Sequence, residues 1–178
     1  MNYRRLFIPN SIVFITIVTY ERKEILMQNI ELLRCAIKQT KQKYQFDIVA
    51  ICVLTNHIHM LLKPFKIEEY PNIIKNIKRN FSANFDISQI PDYYESISRK
   101  IKGEKSIWQR RYFEHTIITE EDLNKHIDYI HYNSMKHYNI TPKDWEYSTF
   151  KEFVKNGYYE QDWCNFEDRN NLNNMDFE

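Results

Sequence analysis

Two histidines separated by one residue stand in the apolar stretch VLTNHIHMLL, residues 53–62. A β-strand points alternate side chains to opposite faces, so His57 and His59 leave one face of a sheet together. Two neutral imidazoles can hold one divalent ion and leave positions for a third protein ligand and for water or substrate. The pair therefore indicates a metal site, although half-buried strands also carry histidines for packing alone.

A tyrosine on a helix supplies a second candidate chemistry. The stretch HIDYIHYNSMKHY, residues 126–138, has helical spacing, and residues four apart share a face, so Tyr129 and Asn133 project together. Aromatic residues on such a helix usually belong to a core. A phenol beside a metal site can, however, attack a phosphodiester and form a phosphotyrosine ester. We predict Tyr129 as this nucleophile and Asn133 as a third metal ligand beside the histidine pair.

The metal that this chemistry requires is a divalent ion such as Mg²⁺ or Mn²⁺, which would polarise the scissile phosphate. Two further histidines are candidates for lining the site. His126 lies close to the side of the helix that carries Tyr129, and His115 follows Glu114 in a predicted strand, where a structural role is the alternative. His131 is two residues from Tyr129 and faces away from it, so we assign it no catalytic role.

The elements that must position these residues predict an α+β fold. Strand, helix, hairpin, helix, strand is the order of a ferredoxin-like (RRM-like) sandwich, with two helices on one face of an antiparallel sheet. The histidine pair then lies on a central strand, and an extra C-terminal helix brings Tyr129 to the open face. Strands are predicted at residues 11–20, 46–54, 57–64 and 107–119, helices at 24–44, 68–85 and 120–138, and a loop or insertion at 86–106.

Length and composition fit one globular domain. The chain has 178 residues, of which 43% are hydrophobic, and we place the domain at residues 1–150 and a polar, acidic tail that packs on it or frays at 151–178. No apolar stretch is long enough for a membrane helix, and the N-terminus does not read as a signal peptide, so we expect a cytoplasmic protein without a membrane partner.

Cysteine and glycine usage excludes several other classes of site. The three cysteines are far apart and show no CxxC spacing, which argues against a disulfide framework and a cysteine zinc site. Two glycines in the whole chain exclude a glycine-rich phosphate loop.

Charge is unevenly distributed although the formal net charge is only +1. Residues 74–111 hold nine basic and four acidic residues, whereas residues 152–178 hold two basic and seven acidic ones. A basic region can bind phosphates whatever the net charge, although many such clusters are solvated surface. The candidate phosphate contacts in this region are Lys75, Lys78, Arg79, Arg110 and Arg111.

Four blocks occur in the order LTNHIHMLL, WQRRYFEHTII, YIHYNSMKH and DWEYSTF. They resemble the REP-associated tyrosine transposases, a branch of the HUH single-tyrosine transposases, and the likeness runs from Tyr3 to about Phe150. The family's histidine, hydrophobic, histidine motif corresponds to His57-Ile58-His59. Its tyrosine motif, approximately Y-I-H-x-N-P-V-K-H, corresponds to YIHYNSMKH, with serine and methionine in place of the usual proline and valine.

This resemblance implies a metal-dependent enzyme that cleaves and rejoins single-stranded DNA through a 5′-phosphotyrosine. The nucleophile would be Tyr129, the third metal position Asn133, and the substrate DNA folded into imperfect, REP-like hairpins. The basic region suits such a ligand, and both a monomer and a homodimer occur among related enzymes. Further DNA contacts are expected from Arg4 and Arg5 and, as stacking surfaces, from Tyr93, Tyr94 and Trp108.

Two alternatives use the same fold. One is a domesticated module that binds hairpins without turnover, against which the retention of the histidine pair, Tyr129 and Asn133 argues. The other is a metal-dependent hydrolase in which water is the nucleophile. In the hydrolase, Tyr129→Phe would keep cleavage and no covalent adduct would form.

Overall fold

The computed structural model describes residues 6–164, which form a four-stranded antiparallel sheet with helices on both faces. The strands are β1 Val13–Val18, β2 Phe46–Val53, β3 His57–Pro64 and β4 Phe113–Thr116. The helices are α1 Ile30–Lys41, α2 Tyr70–Asn84, α3 Ile97–Ile101, α4 Glu120–Tyr138 and α5 Phe150–Lys155. The strand order β2-β3-β1-β4 confirms the predicted ferredoxin-like fold.

The strand β3, which carries the histidine pair, is central in the sheet. It pairs with β1 on one side and β2 on the other, and His59 lies opposite Thr16 of β1 and Cys52 of β2. The predicted tight turn between β2 and β3 is also present, because the Leu54 N–H donates to the carbonyl of His57 over 2.9 Å. Both neighbours therefore hold β3 in register, which fixes the direction of its side chains.

The two faces of the sheet bury different helices. Ile15, Ile58 and Met60 belong to a core that includes the buried sides of α1 and α2. Phe14 and Leu61, one residue out of phase, belong to a second core with α4. His57 and His59 share the phase of Leu61, so the sheet presents the histidine pair to α4.

Helix α4 begins and ends at the predicted residues, 120 and 138. The Thr119 hydroxyl accepts a hydrogen bond from the Asp122 N–H over 3.1 Å, and three acidic residues follow in the first turn. At the other end Asn139 adopts a left-handed conformation with φ 57°, which closes the last turn. The helix is buried from residue 129 to residue 135, so it is packed along its whole central part.

Three predicted elements differ clearly from the structure. The first helix begins at Ile30 instead of residue 24, because residues 25 and 26 are buried by tertiary packing and the Leu26 N–H donates to Thr55. The last strand is reduced to β4, and Trp108 keeps only an isolated bridge to Thr19. The predicted loop at 86–106 contains α3 and a helical turn at 87–89.

The division into a domain and a tail stays a prediction. Helix α5 spans the predicted boundary, because it begins at the buried Phe150 and ends at Lys155, while the last part of the predicted tail, residues 165–178, lies outside the described residues. Among residues 6–164, no helix combines the length and the apolar character that a bilayer crossing requires.

Candidate active site

The histidine pair forms the buried floor of the site. His57 and His59 are 2% and 0% exposed, and their ring centroids lie 4.8 Å apart. The Nδ1 atom of His57 is 2.6 Å from the Asn56 side-chain oxygen, and Nδ1 of His59 is 2.8 Å from the Thr16 hydroxyl. Such partners orient the imidazoles of metal sites, and they make Nε2 of each ring the candidate ligand atom.

A third histidine completes this cluster. Nitrogen atoms of His57, His59 and His137 all lie within 4.8 Å of one another, and the exposed His137 ring is 4.9 Å from that of His57. His137 is not among the site residues predicted from the sequence. Its spacing could have identified it, because it follows Asn133 by four residues and Tyr129 by eight and so lies on the same helix face.

Asn133, the predicted third ligand, is fully buried on α4. Its amide nitrogen donates to the Tyr129 carbonyl over 2.6 Å, while its side-chain oxygen is buried and accepts no hydrogen bond from any described residue. A buried acceptor without a donor costs about 1–3 kcal/mol, a cost that a bound cation removes. This oxygen and the histidine nitrogens fit a divalent ion, and the assignment of Asn133 as a ligand stays a prediction.

Tyr129 lies against the histidine pair and is 0% exposed. Its ring is 5.2 Å from that of His59 and 5.9 Å from that of Phe14, in both cases edge to face. The exposed Lys136 covers it, with Nζ 3.5 Å from the phenol oxygen and 5.1 Å from the ring centroid. An ammonium group here stabilises negative charge on the phenol oxygen or on a phosphate bound to it.

The two histidines predicted to line the site, His115 and His126, lie beside the carboxylate of Asp122 and not beside the histidine pair. His115 and His126 both contact Asp122, at 2.8 and 3.0 Å, and form their own group at the start of α4. The Phe14 ring packs against His126 at 4.7 Å and against His59 at 5.8 Å. A buried aromatic ring is therefore in contact with both histidine groups.

Five of the ten predicted DNA contacts line one basic groove of about 680 Å³. The groove lies between α2, α3 and the segment 108–112. Glu104 is the acidic residue in its lining, and it pairs with Arg110 at 2.8 Å. The basic residues of the groove are Lys75, Lys78, Arg79, Arg99, Lys102, Lys105 and Arg110.

Two predicted contacts have structural roles in this groove. The Lys78 ammonium donates to the carbonyls of Gln109 and Arg110, at 2.6 and 3.3 Å. Burial, with Arg99 nearby, lowers the pKa of Lys78 to about 8. Trp108 is 4% exposed and packs on Phe81, so its ring is covered in this structure, and base stacking by Trp108 stays a prediction.

Three further predicted contacts, Arg111, Tyr93 and Tyr94, do not line the groove. Arg111 is exposed, and Tyr94 is 65% exposed. Tyr93 is half-buried and donates to Glu95. Arg4 and Arg5 lie outside the described residues.

His131 is on the opposite side of α4, among Phe150, Phe153 and Tyr159. Burial lowers its pKa to about 3, whereas an unfolded chain titrates near 6.5. The unfolded state therefore binds the proton first, and stability is lost as the pH falls below about 6.5. We expect the free energy of unfolding to fall by about 2 kcal/mol between pH 7.5 and pH 5 from this residue.

Urea unfolding at a series of pH values measures this effect. His131→Gln keeps a hydrogen-bonding side chain that does not titrate, and its stability should lose about 2 kcal/mol less over the same interval. Equal losses in the two proteins would show that His131 does not couple folding to protons.

The site consists of a central histidine pair on a ferredoxin-like sheet that faces a helix with a tyrosine. The family model for IS200-like transposases matches residues 9–133, which include the histidine pair and the tyrosine. This match defines the class as a transposase.

Similar proteins specify the class further. A putative REP-associated tyrosine transposase of Haemophilus influenzae is 41% identical over 167 residues, covering 91% of this chain and 92% of the relative. The REP-associated tyrosine transposase of Escherichia coli is 31% identical over 165 residues, covering 91% and 90%. A solved REP-associated tyrosine transposase bound to a REP hairpin matches with a TM-score of 0.75 at 30% identity, covering 93% of this chain and 92% of that one. The chain belongs to the REP-associated tyrosine transposases.

Proposed function

We propose that this protein is a metal-dependent endonuclease and strand transferase that acts on hairpins of single-stranded DNA through a 5′-phosphotyrosine at Tyr129. The observation that carries the proposal is the contact of the Tyr129 ring with His59, 5.2 Å between centroids, on the face where His57 also lies. A phenol and a pair of metal-binding side chains thus share one site, as covalent phosphoryl transfer requires.

The chain's own groups account for the covalent steps. The Tyr129 oxygen attacks the phosphorus as the phenol proton passes to solvent, the bond to the 3′ oxygen breaks, and that oxygen takes up a proton, so the upstream strand leaves with a free 3′ hydroxyl. The downstream strand stays linked to Tyr129 through its 5′ phosphate. Lys136, 3.5 Å from the attacking oxygen, offsets charge on the phosphate during both steps. Attack by a 3′ hydroxyl on this ester reverses the reaction and rejoins DNA without another energy source.

The residues that would hold the metal are His57, His59 and a third group from α4, either Asn133 or His137. A divalent ion bound to them would polarise the phosphate and stabilise the charge that develops in the transition state. Thr16 and Asn56 hold the two strand histidines in the orientation this requires.

Binding of a DNA hairpin rests on the basic groove and on the solved relative, which was bound to a REP hairpin. Seven basic side chains line the groove, of which Lys78 and the buried Arg99 are hydrogen-bonded to backbone carbonyls, and the segment 108–112 leads from it into β4. Binding that depends on phosphate contacts weakens steeply as salt rises. We therefore expect hairpin affinity to fall by at least tenfold between about 50 and 200 mM salt.

The deciding experiment combines the protein with Mg²⁺ or Mn²⁺ and single-stranded oligonucleotides that contain hairpins flanking its gene. Cleavage on a denaturing gel, together with a Tyr129 adduct in the mass spectrum, is the expected result. An oligonucleotide of the same composition that cannot form the hairpin is the matched control. Cleavage without an adduct would contradict the proposal and indicate a hydrolase that uses water.

The complete burial of Tyr129 favours a second candidate, a module that binds hairpins without cleaving them. A scissile phosphate reaches the phenol oxygen only if the side chains that cover it move. Tight hairpin binding with neither cleavage nor adduct in either metal would support this candidate.

Lys136→Met is expected to slow cleavage by about 10- to 100-fold and to leave hairpin binding within about twofold. Methionine keeps the length of the side chain and removes the charge beside Tyr129. Single-turnover cleavage rates measure the effect, and Lys143→Met is a control for the loss of one positive charge outside the site. A cleavage rate equal to that of the wild type would exclude a role for Lys136 in the reaction.

A further inference from the structure

A second group of metal-binding side chains lies outside the proposed active site. Nε2 of His115 on β4 is 2.8 Å from one carboxylate oxygen of Asp122, and Nδ1 of His126 is 3.0 Å from the other. The two imidazoles are stacked, with centroids 4.9 Å apart and planes 11° from parallel. One carboxylate on α4 thus bridges two histidines, one of which is on a different element.

The distances between the ligand atoms of these three residues are close to the distances between ligand atoms around a bound metal ion. One ligand atom from each of the three residues lies within 4.8 Å of the other two. Zinc bonds of about 2.0–2.1 Å in a tetrahedron place ligand atoms about 3.3 Å apart, so only small side-chain movements are needed. Two imidazoles and one carboxylate are also a donor set that zinc uses while it keeps a fourth position open.

The pKa values of His126 and Asp122 and the exposure of the group to solvent both favour the binding of a metal ion. Burial lowers the pKa of His126 below its usual range. Burial of Asp122 acts to raise its pKa, but hydrogen bonds from His115 and the Ile118 N–H outweigh it and hold the pKa below its usual range. The His115 and Asp122 side chains are 40% and 24% exposed, so an ion can enter from solvent.

We propose that His115, Asp122 and His126 form a second metal site, for a divalent transition-metal ion of the zinc type. A coordinating nitrogen must be deprotonated, so the ion displaces the proton between His115 and the carboxylate, and Nδ1 of His126 gives up its hydrogen bond to the Asp122 backbone carbonyl, 2.8 Å away. It ties the edge strand β4 to the first two turns of α4, the helix that carries Tyr129. The site is independent of the strand-transfer chemistry proposed above.

Calorimetric titration of the full chain with Zn²⁺ tests this site. The expected result is that the wild type binds one more ion than His115→Ala, or binds it at least tenfold more tightly. Asp122→Asn should show the same loss. Glu120→Gln removes a negative charge from the same helix turn without touching the group, and it should bind as the wild type does.

A second measurement avoids dependence on variants that fail to fold. Crystals of the wild type soaked in Zn²⁺ should show an anomalous peak between His115, Asp122 and His126. This result does not depend on whether the protein cleaves DNA. Absence of that peak, or equal zinc stoichiometry and affinity in the wild type and a folded His115→Ala, would overturn the proposal. A peak only at His57 and His59 would do so as well, while leaving the proposed function intact.

Discussion

Tyr129→Phe is expected to bind the DNA hairpin as tightly as the wild type and to lose cleavage by about four orders of magnitude or more. The substitution removes the one atom that forms the covalent bond. It keeps the aromatic ring that packs on His59 and Phe14, so the fold should change little. Gel-based cleavage, mass spectrometry for the adduct, and fluorescence anisotropy for binding measure the three quantities.

Tyr132→Phe is the matched control for this experiment. Tyr132 is also buried on α4, but it packs with Met135 and Cys164, outside the histidine pair. Its loss of a hydroxyl should leave both cleavage and the adduct in place. If Tyr129→Phe still cleaved the hairpin, water or another side chain would be the nucleophile, and the phosphotyrosine mechanism would be wrong.

The parts of the fold that were predictable are those in which local pattern and tertiary packing agree. β3 alternates between two cores, so period two in its sequence identifies both the strand and the shared face of His57 and His59. α4 carries an N-cap threonine, an acidic first turn and a left-handed asparagine after its last turn. These features act within a few residues of chain, and a sequence displays them directly.

The wrong boundaries arise where a distant contact imitates a local pattern. Ile25 and Leu26 continue the apolar spacing of α1, but they are buried because the chain passes the turn at Thr55. Trp108 resembles a strand residue, whereas it packs on Phe81 of α2. Spacing along the chain cannot distinguish a helix face from a segment that another part of the fold covers.

Spacing along the chain also identifies only some of the residues of the site. Tyr129 and Asn133 follow from the four-residue period of a helix, and the same period continues to His137. Lys136 lies seven residues after Tyr129, two helical turns along, and its contact with the phenol is visible only in the structure. The group of His115, Asp122 and His126 joins a strand to a helix, so its geometry depends on how β4 meets α4.

His59→Ala is expected to reduce cleavage by about three orders of magnitude or more, and added Mn²⁺ should not restore it, because a ligand has been lost. Thr16→Val should have a smaller effect of a different kind. It removes only the hydroxyl that contacts Nδ1 of His59 at 2.8 Å, which should weaken metal binding by about 10- to 100-fold. Cleavage by Thr16→Val should therefore recover at high Mn²⁺.

The dependence of the cleavage rate on Mn²⁺ concentration measures both effects. Thr116→Val makes the same change in β4 and should leave the metal dependence unaltered. Because a merely structural defect would lower the rate at every metal concentration, recovery of Thr16→Val at high Mn²⁺ would identify Thr16 as the residue that orients a metal ligand. A loss in Thr16→Val that no metal concentration reverses would contradict this role, and full activity of His59→Ala after removal of metal by EDTA would exclude a metal at the histidine pair.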